Sequence, residues 1–148
     1  MNAKLVSSIE STARSRLAMV SAEASLVEVA KLLSDTQISL VVVCGSDGRM
    51  VGVVTKTDIV RQIGQCGPST TVAADVMTRD VASCRPTDSL PDVLSMMGRR
   101  GFVHVPVVDK QFRPSGVVNA RDALRALLAD EKYEEALLRD YVMGIGYR

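Results

Sequence analysis

Two seven-residue stretches of this sequence place a hydroxyl or amide side chain three positions before an acid. The first, GVVTKTD, contains Thr55 and Asp58, and the second, GVVNARD, contains Asn119 and Asp122. Where a strand turns into a helix, such a polar group and the free N–H groups of the first helical turn can bind phosphate. A carboxylate three residues later can accept hydrogen bonds from both hydroxyls of a ribose. The spacing therefore fits a site for a phosphate beside a sugar.

The same spacing also fits a purely structural role. A capping box joins an N-cap side chain to the backbone N–H three residues on, while the acid at that position returns a bond to the N-cap N–H. Thr55 with Asp58, and Asn119 with Asp122, would then only cap the helices that follow. From these residues alone capping is favoured, because caps are commoner than nucleotide sites. The two roles are compatible, since a capping hydroxyl can rotate toward a phosphate.

Both stretches belong to a longer internal repeat. Shifting the sequence by 64 positions pairs Ser25 with Ser89 and Gly52 with Gly116. The register needs no gap and matches apolar, glycine and acidic positions alike, which indicates two copies of one supersecondary unit. Two such copies are expected to pack about a pseudo-twofold axis, each covering an apolar face of the other.

The periodicity within each copy predicts the elements that position these side chains. Each copy reads as strand, helix, strand, strand, helix, so the predicted class is α/β (α+β), with two βαββα repeats whose small mixed sheets are flanked by helices. The first copy is predicted as strand 17–20, helix 25–35, strands 38–44 and 50–54, and helix 58–63; the second as strand 80–84, helix 89–98, strands 102–108 and 116–118, and a helix from residue 122. The predicted boundaries are an N-terminal segment 1–15, repeat one 16–66, a linker with a short helix 67–76, repeat two 77–130, and a helical extension 131–148.

Composition excludes several function classes. The 148 residues are 47% hydrophobic, enough for one core, but only 3% aromatic, with no Trp and a net charge of +1. Nucleic acid is therefore a poor candidate partner, since neither stacking platforms nor a basic stripe is present. No apolar run reaches the roughly 20 residues of a spanning helix, and the N-terminus lacks a secretory signal, so a cytoplasmic protein without membrane contact is expected.

The cysteines and the single histidine do not suggest catalysis. Cys44, Cys66 and Cys84 form no C-x-x-C pair, which argues against a zinc site or a disulfide framework. A Cys/His nucleophile would need His104, and nothing in the sequence places an orienting residue beside it. We therefore expect no enzyme and no metal site.

The motif order resembles the CBS domain family. The resemblance rests on the G-h-V-T-x-x-D pattern ending the first copy, on DVMTRDV at residues 75–81, and on HVPVVD at residues 104–109. It covers the chain from about residue 16 to 130, and the tandem arrangement is similar to a Bateman module. The family implies adenosine-containing ligands bound in clefts between the copies: AMP as first choice, then NAD, ATP, ADP or S-adenosylmethionine. It implies a sensor of energy or redox state, not a catalyst.

Carried over residue by residue, the resemblance implies two clefts. The second would use Asp122 for ribose, Asn119 with Arg121 for phosphate, Thr78 and Val81 beside the base, and Phe102, His104 and Pro106 as lining. The first would use Asp58 for ribose, Thr55 with Thr57 or Lys56 for phosphate, and Val20, Ile38 and Leu40 for the base. The first copy lacks the His and Pro of HVPVVD, which predicts the weaker cleft. His104 fits a half-buried structural role and a phosphate contact about equally, and the latter would make binding pH-sensitive.

Three functions remain open from the sequence. The first is a regulatory module that senses adenine nucleotides and controls an unknown partner protein, assembled as a homodimer through its helices. The second is a constitutive dimerisation or interaction scaffold with vestigial clefts, and the third is an enzyme. The extension 131–148 either embraces a partner subunit or packs on its own module.

Overall fold

The computed structural model describes residues 4–68 and 71–129, so the predicted extension 131–148 lies outside the described residues. No helix within these ranges is long and apolar enough to cross a membrane. The first half contains a 3-10 turn Val6–Ile9, α1 Glu10–Ser15, β1 Met19–Ser21, α2 Leu26–Leu33, β2 Leu40–Cys44, β3 Met50–Thr55 and α3 Lys56–Gly64. The second half contains α4 Ala73–Val76, α5 Leu90–Arg100, β4 His104–Val108, β5 Pro114–Asn119 and α6 Ala120–Leu128.

Matching helices in the two halves begin at matching caps. The Ser25 hydroxyl accepts the Glu28 N–H at 3.1 Å, and the Ser89 hydroxyl accepts the Asp92 N–H at 3.4 Å. These bonds satisfy first-turn donors that have no partner inside the helix. At the other end of α5, Gly101 adopts a left-handed conformation with φ 71°, where glycine carries no steric cost. The sequence-predicted helices are therefore confirmed, with ends shifted by a few residues.

The strands form two small sheets. The first has the order β1-β2-β3, with β1 parallel and β3 antiparallel to β2, and the second pairs β4 with β5 antiparallel. The predicted strand at 80–84 is wrong, because only Cys84 of that segment bridges to Val107. The physical reason lies just upstream, where Thr78 and Val53 exchange backbone bonds of 2.8 and 3.0 Å. That exchange ties Thr78 to the first sheet, so the chain reaches the second sheet only at Cys84.

Each sheet buries both of its faces. Val41 and Val43 of β2 point into the core of the first repeat, whereas Leu40 and Val42 point into a cluster shared with the second repeat. The same alternation runs along β4, where odd-numbered valines face the core of their own repeat and Val108 faces the shared cluster. Two-sided burial explains why the central strands are continuous apolar runs instead of alternating ones. The mixed α/β class, with small sheets flanked by helices, is confirmed.

The segment leading into each repeat packs on the other repeat. Residues 4–15 lie on the second repeat: the Val6 N–H donates to the Asp88 carbonyl at 2.9 Å, and Val6 is only 2% exposed. The short helix α4 of the predicted linker lies on the first repeat, where the Ala73 N–H donates to the Ala24 carbonyl at 2.8 Å. The boundaries at residues 15/16 and 66/67 stay predictions, but the segments outside them are part of the packed structure.

The glycine of each GVV motif lies beneath one of these leading segments. A Cβ on Gly116 would lie 2.9 Å from the Ala13 Cβ, and one on Gly52 would lie 2.7 Å from the Thr78 carbonyl oxygen. Both distances are too short for a side chain to fit without movement of the backbone. Close packing therefore explains the repeated glycine. Because each glycine lets a leading segment pass close to the strand that contains it, the glycines also influence which residues meet at the candidate site.

Candidate functional site

At the end of β3, Thr55 and Asp58 form a capping box. The Asp58 N–H donates to the Thr55 hydroxyl at 3.4 Å, and the Asp58 carboxylate accepts the Thr55 N–H at 2.9 Å and its hydroxyl at 3.1 Å. The other carboxylate oxygen accepts from Arg61 at 3.3 Å. The capping interpretation of this motif is thus confirmed. The Arg61 side chain is 60% exposed, so it can leave this carboxylate without uncovering a core.

At the end of β5, Asn119 caps α6 in a different way. Its side-chain oxygen accepts the N–H groups of Arg121 and Asp122 at 2.9 and 3.1 Å. With the oxygen committed to the helix, the amide nitrogen faces the His104 Nε2 at 2.9 Å. Both ends of the amide are therefore engaged, and a phosphate would have to displace His104 to reach Asn119.

Asp122 carries an ion pair instead of a capping bond. Its two oxygens accept from Nε and Nη2 of Arg16, the latter at 3.0 Å, and the third nitrogen of the guanidinium donates to the Gln37 carbonyl at 3.3 Å. The side chain of Asp122 is 4% exposed and that of Arg16 is 19% exposed. The hydrogen bonds from Arg16 to Asp122 raise the pKa of Arg16 further above its ordinary value. One arginine thus joins the second repeat to the backbone of the first.

A cleft of about 610 Å³ lies between the repeats, within the 300–1,000 Å³ range of small-molecule sites. Its polar wall comes from the end of β3 and the start of α3, and its apolar wall comes largely from the segments before α5 and β4. Its lining includes Ser39, Leu40, Val53, Thr55, Lys56, Thr57, Thr78, Asp80, Val81, Ala82, Gly101, Phe102, Val103 and His104.

This cleft combines residues that the sequence analysis had divided between two sites. Thr78, Val81 and Phe102 were grouped with Asp122, but they line the same cleft as Thr55 and its neighbours. The structure groups these residues differently because Thr78 pairs with Val53 of β3. This pairing places the residues that follow Thr78 next to the end of β3. His104 lines this cleft while its ring also contacts Asn119.

Other predicted site residues lie elsewhere. Leu40 lines the cleft, but Ile38 and Val20 pack with the first repeat's own core. Pro106 is buried in β4 and its carbonyl accepts the Cys84 N–H, while Arg121 is exposed in the first turn of α6. Asp58 sits in the capping box just behind Thr57. Burial separates Ile38, Pro106 and Asp58 from the cleft lining, whereas Arg121 lies on an exposed surface away from it.

The comparison with known sequences agrees with this architecture. The model of the CBS domain matches residues 6–65 and again residues 72–129. The chain belongs to the CBS domain family. The first match begins at residue 6, so it includes the N-terminal segment that packs on the second repeat. The resemblance seen in the motifs is therefore confirmed, and the protein is a tandem CBS pair.

Relatives of this CBS pair have varied contexts. An uncharacterized 17.7 kDa protein of Acidianus ambivalens is 28% identical over 142 residues, covering 96% of this chain and 86% of that protein. Inosine-5'-monophosphate dehydrogenase of Nitrosopumilus maritimus is 28% identical over 103 residues, covering 70% of this chain but only 21% of the enzyme. The solved CBS domain pair of protein MJ0100, in complex with 5'-methylthioadenosine and S-adenosylmethionine, aligns with a TM-score of 0.74 and 25% identity, over 88% of this chain and 100% of that one.

Two charged residues of the CBS pair were not identified from the sequence as site residues. Arg16 and Asp80 are 64 positions apart, so they occupy equivalent positions in the two repeats with opposite charges. Arg16 pairs with Asp122, whereas Asp80 lines the open cleft. The alignment of the two repeats could have identified them, because it pairs an arginine with an aspartate. Opposite charges at equivalent positions indicate that the two sites differ there.

Cys84 is the buried cysteine among those that the structure describes. Burial raises the pKa of the Cys84 thiol to about 12, which keeps it protonated at neutral pH and therefore a poor nucleophile. Within residues 4–68 and 71–129, no three His, Cys, Asp or Glu side chains lie close enough together to hold a metal ion.

The bond between Asn119 and His104 determines the tautomer of the imidazole. An amide nitrogen only donates, so Nε2 must accept and the proton must lie on Nδ1. Burial is the largest influence on the pKa of His104 and lowers it below the ordinary 6.5; Arg16 and Lys56 lower it further, against the opposing effect of Asp122. His104 is therefore a neutral imidazole at neutral pH, whose Nε2 accepts from Asn119 and whose Nδ1–H remains a donor.

We predict that His104 titrates below pH 6.5 and is the Nδ1–H tautomer at neutral pH. Because the unfolded chain binds this proton more readily, the contribution of His104 to stability is complete above about pH 6.5 and declines as the pH falls below it. Titration followed by ¹⁵N NMR of the ring nitrogens measures both properties.

The matched variant for that titration is Asn119→Asp. An aspartate still caps α6, but its second oxygen would accept a proton from Nε2, so the pKa of His104 should rise. A wild-type pKa above 6.5, or no increase in the variant, would contradict the assignment.

Proposed function

We propose that this CBS pair is a regulatory module that binds an adenosine-containing ligand in the cleft between its repeats and passes that occupancy to a partner protein. The observation that carries the proposal is the composition of the cleft. Hydroxyls and one ammonium group lie at the start of α3, opposite an apolar wall from the second repeat. A nucleotide has the same division between a phosphate end and a flat base.

The polar wall suits a phosphate. Thr55 at the N-cap and Thr57 in the first turn of α3 supply hydroxyls, and Lys56 supplies a positive charge, to which the helix dipole adds a partial positive charge. Val81 and Phe102 supply flat apolar surface for the base. Asp58, immediately after Thr57, is the candidate ribose acceptor once Arg61 moves aside. AMP is our first candidate, ahead of NAD, ATP, ADP and S-adenosylmethionine.

The solved relative in complex with 5'-methylthioadenosine and S-adenosylmethionine supports the adenosine part of the ligand more directly than the phosphate part. Asp80 in the lining adds a negative charge, which would tolerate a cationic sulfonium ligand better than a long polyphosphate. The proposal therefore keeps AMP, which has a single phosphate, above ATP. We propose no catalytic step.

The test is a series of thermal melts of protein freed of co-purified ligand, with AMP, ADP, ATP, NAD and S-adenosylmethionine added in turn. At tenfold excess over Kd, a bound ligand adds about 1.4 kcal/mol, which is roughly 3 to 6 °C for a domain of this size. A ligand-selective increase, largest with AMP, is the expected result. No increase with any ligand would contradict the proposal and favour a constitutive scaffold.

We further propose that the module acts as a homodimer. Val60 and Ile63 lie on one side of α3 and are 68% and 72% exposed, which is a large apolar surface for one short helix. Such a surface is typical of contact with another protein. Analytical ultracentrifugation of the wild type and of Val60→Glu tests this: a dimer that becomes a monomer is expected, and a monomeric wild type would contradict it.

A further inference from the structure

The acid of the second repeat is held by an arginine from outside that repeat. Nε and Nη2 of Arg16 donate to the two oxygens of Asp122, and Nη1 donates to the Gln37 carbonyl at 3.3 Å. Arg16 directly follows α1, which packs beneath β5 through the contact between Ala13 and Gly116. The guanidinium is therefore fixed by its own bonds and by the helix before it.

Ribose hydroxyls would need the same two oxygens. A carboxylate accepts a pair of hydroxyls along the lone pairs that a bidentate arginine occupies. The side chain of Asp122 is only 4% exposed beneath Arg16, so no second approach is open. A ligand would have to displace a mostly buried guanidinium and leave its charge without a partner, which is costly in a protein interior.

The first repeat is arranged differently at each equivalent position. The Asp58 side chain is 9% exposed, and its Oδ2 accepts from Thr55, but its Oδ1 accepts only from Arg61, which comes from the same helix and is 60% exposed. The residue equivalent to Arg16 is Asp80, whose negative charge cannot pair with Asp58 and which instead lines the open cleft. The two acids therefore differ in their arginine: that of Asp58 is exposed and belongs to the same helix, whereas that of Asp122 is mostly buried and comes from the other repeat.

We propose that Arg16 closes the Asp122 side of the CBS pair to adenosine-containing ligands, so that each chain binds one such ligand, in the cleft of Thr55 and His104, instead of two. This inference rests on the proposed function of that cleft and adds its stoichiometry. It makes Arg16 the residue that determines the number of sites.

Equilibrium dialysis with AMP tests the proposal on the full-length chain. The wild type is expected to bind one AMP per chain, and Arg16→Gln is expected to bind two, because the shorter neutral side chain releases Asp122 while keeping a donor nearby. The matched control is Arg61→Gln, which removes the exposed partner of Asp58 and should leave one AMP per chain. A wild type that binds two, or an Arg16→Gln variant that still binds one, would overturn the proposal.

A measurement on the wild type avoids any loss of folding in the variant. At saturating AMP, the Arg16 Nε–H resonance is expected to keep its position while the backbone amides of Lys56 and Thr57 shift. A shift of the Arg16 resonance comparable to theirs would overturn the inference. If the wild type binds no AMP and Arg16→Gln binds one, the function proposed for the open cleft fails while the role of Arg16 stands; if neither binds AMP, both proposals are wrong.

Discussion

Replacing Arg16 with alanine is expected to lower the free energy of unfolding by about 3 kcal/mol, the largest stability change that we predict for a single polar substitution. The substitution removes both hydrogen bonds to Asp122 and the bond to the Gln37 carbonyl, and it leaves a carboxylate whose side chain is 4% exposed. We choose the lower end of the range for a broken buried pair because Arg125 lies 3.9 Å from Asp122 and the start of α6 is close by. Urea denaturation monitored by circular dichroism gives the value.

Two variants determine whether the loss comes from the uncompensated charge. Arg61→Ala removes an arginine from the equivalent acid, but that side chain is 60% exposed, so a cost of no more than about 1 kcal/mol is expected. The double variant Arg16→Ala, Asp122→Asn should recover at least half of the loss, since no charge is then left buried. Equal losses for Arg16→Ala and Arg61→Ala would contradict our description of the pair.

The second large effect concerns ligand binding. Lys56→Glu is expected to weaken AMP binding about 100-fold, equivalent to about 2.7 kcal/mol, because it would replace the charge-assisted bond to phosphate that we propose with a repulsion. Lys56 is exposed at the first position of α3, where a glutamate is favourable for the helix, so the fold should be unaffected. Isothermal titration calorimetry with AMP measures the change.

Two comparisons make that result specific. Lys110→Glu makes the same charge change at an exposed position outside the cleft lining and should leave the Kd for AMP within about twofold, because solvent screens distant surface charges. The ligand 5'-methylthioadenosine has no phosphate, so its affinity should be almost unchanged by Lys56→Glu. If both ligands lose affinity equally, Lys56 supports the cleft as a whole; if neither does, the phosphate lies elsewhere.

The repeat, the family and the elements other than the strand predicted at 80–84 could be predicted from the sequence. Caps, turns and hydrophobic periodicity act within a few residues, so Ser25 and Ser89 reported the starts of α2 and α5 correctly. The capping box of Thr55 and Asp58 could also be predicted from the sequence, because both of its hydrogen bonds join residues three positions apart. The matching glycines at positions 52 and 116 were visible as a pattern, although their reason was not.

Only the tertiary structure decided which side chains share a site. Thr78 and Val81 belong to the second repeat in sequence, yet the pairing of Thr78 with Val53 places them beside Thr55. Arg16 and Asp122 are 106 residues apart, and no local signal joins them. The physical reason is that contacts between repeats depend on how their apolar faces pack and on where Gly52 and Gly116 let the chain cross. The sequence by itself determined two similar halves with similar motifs, and their packing gave Asp122 a mostly buried arginine from the other repeat while Asp58 kept an exposed one from its own helix.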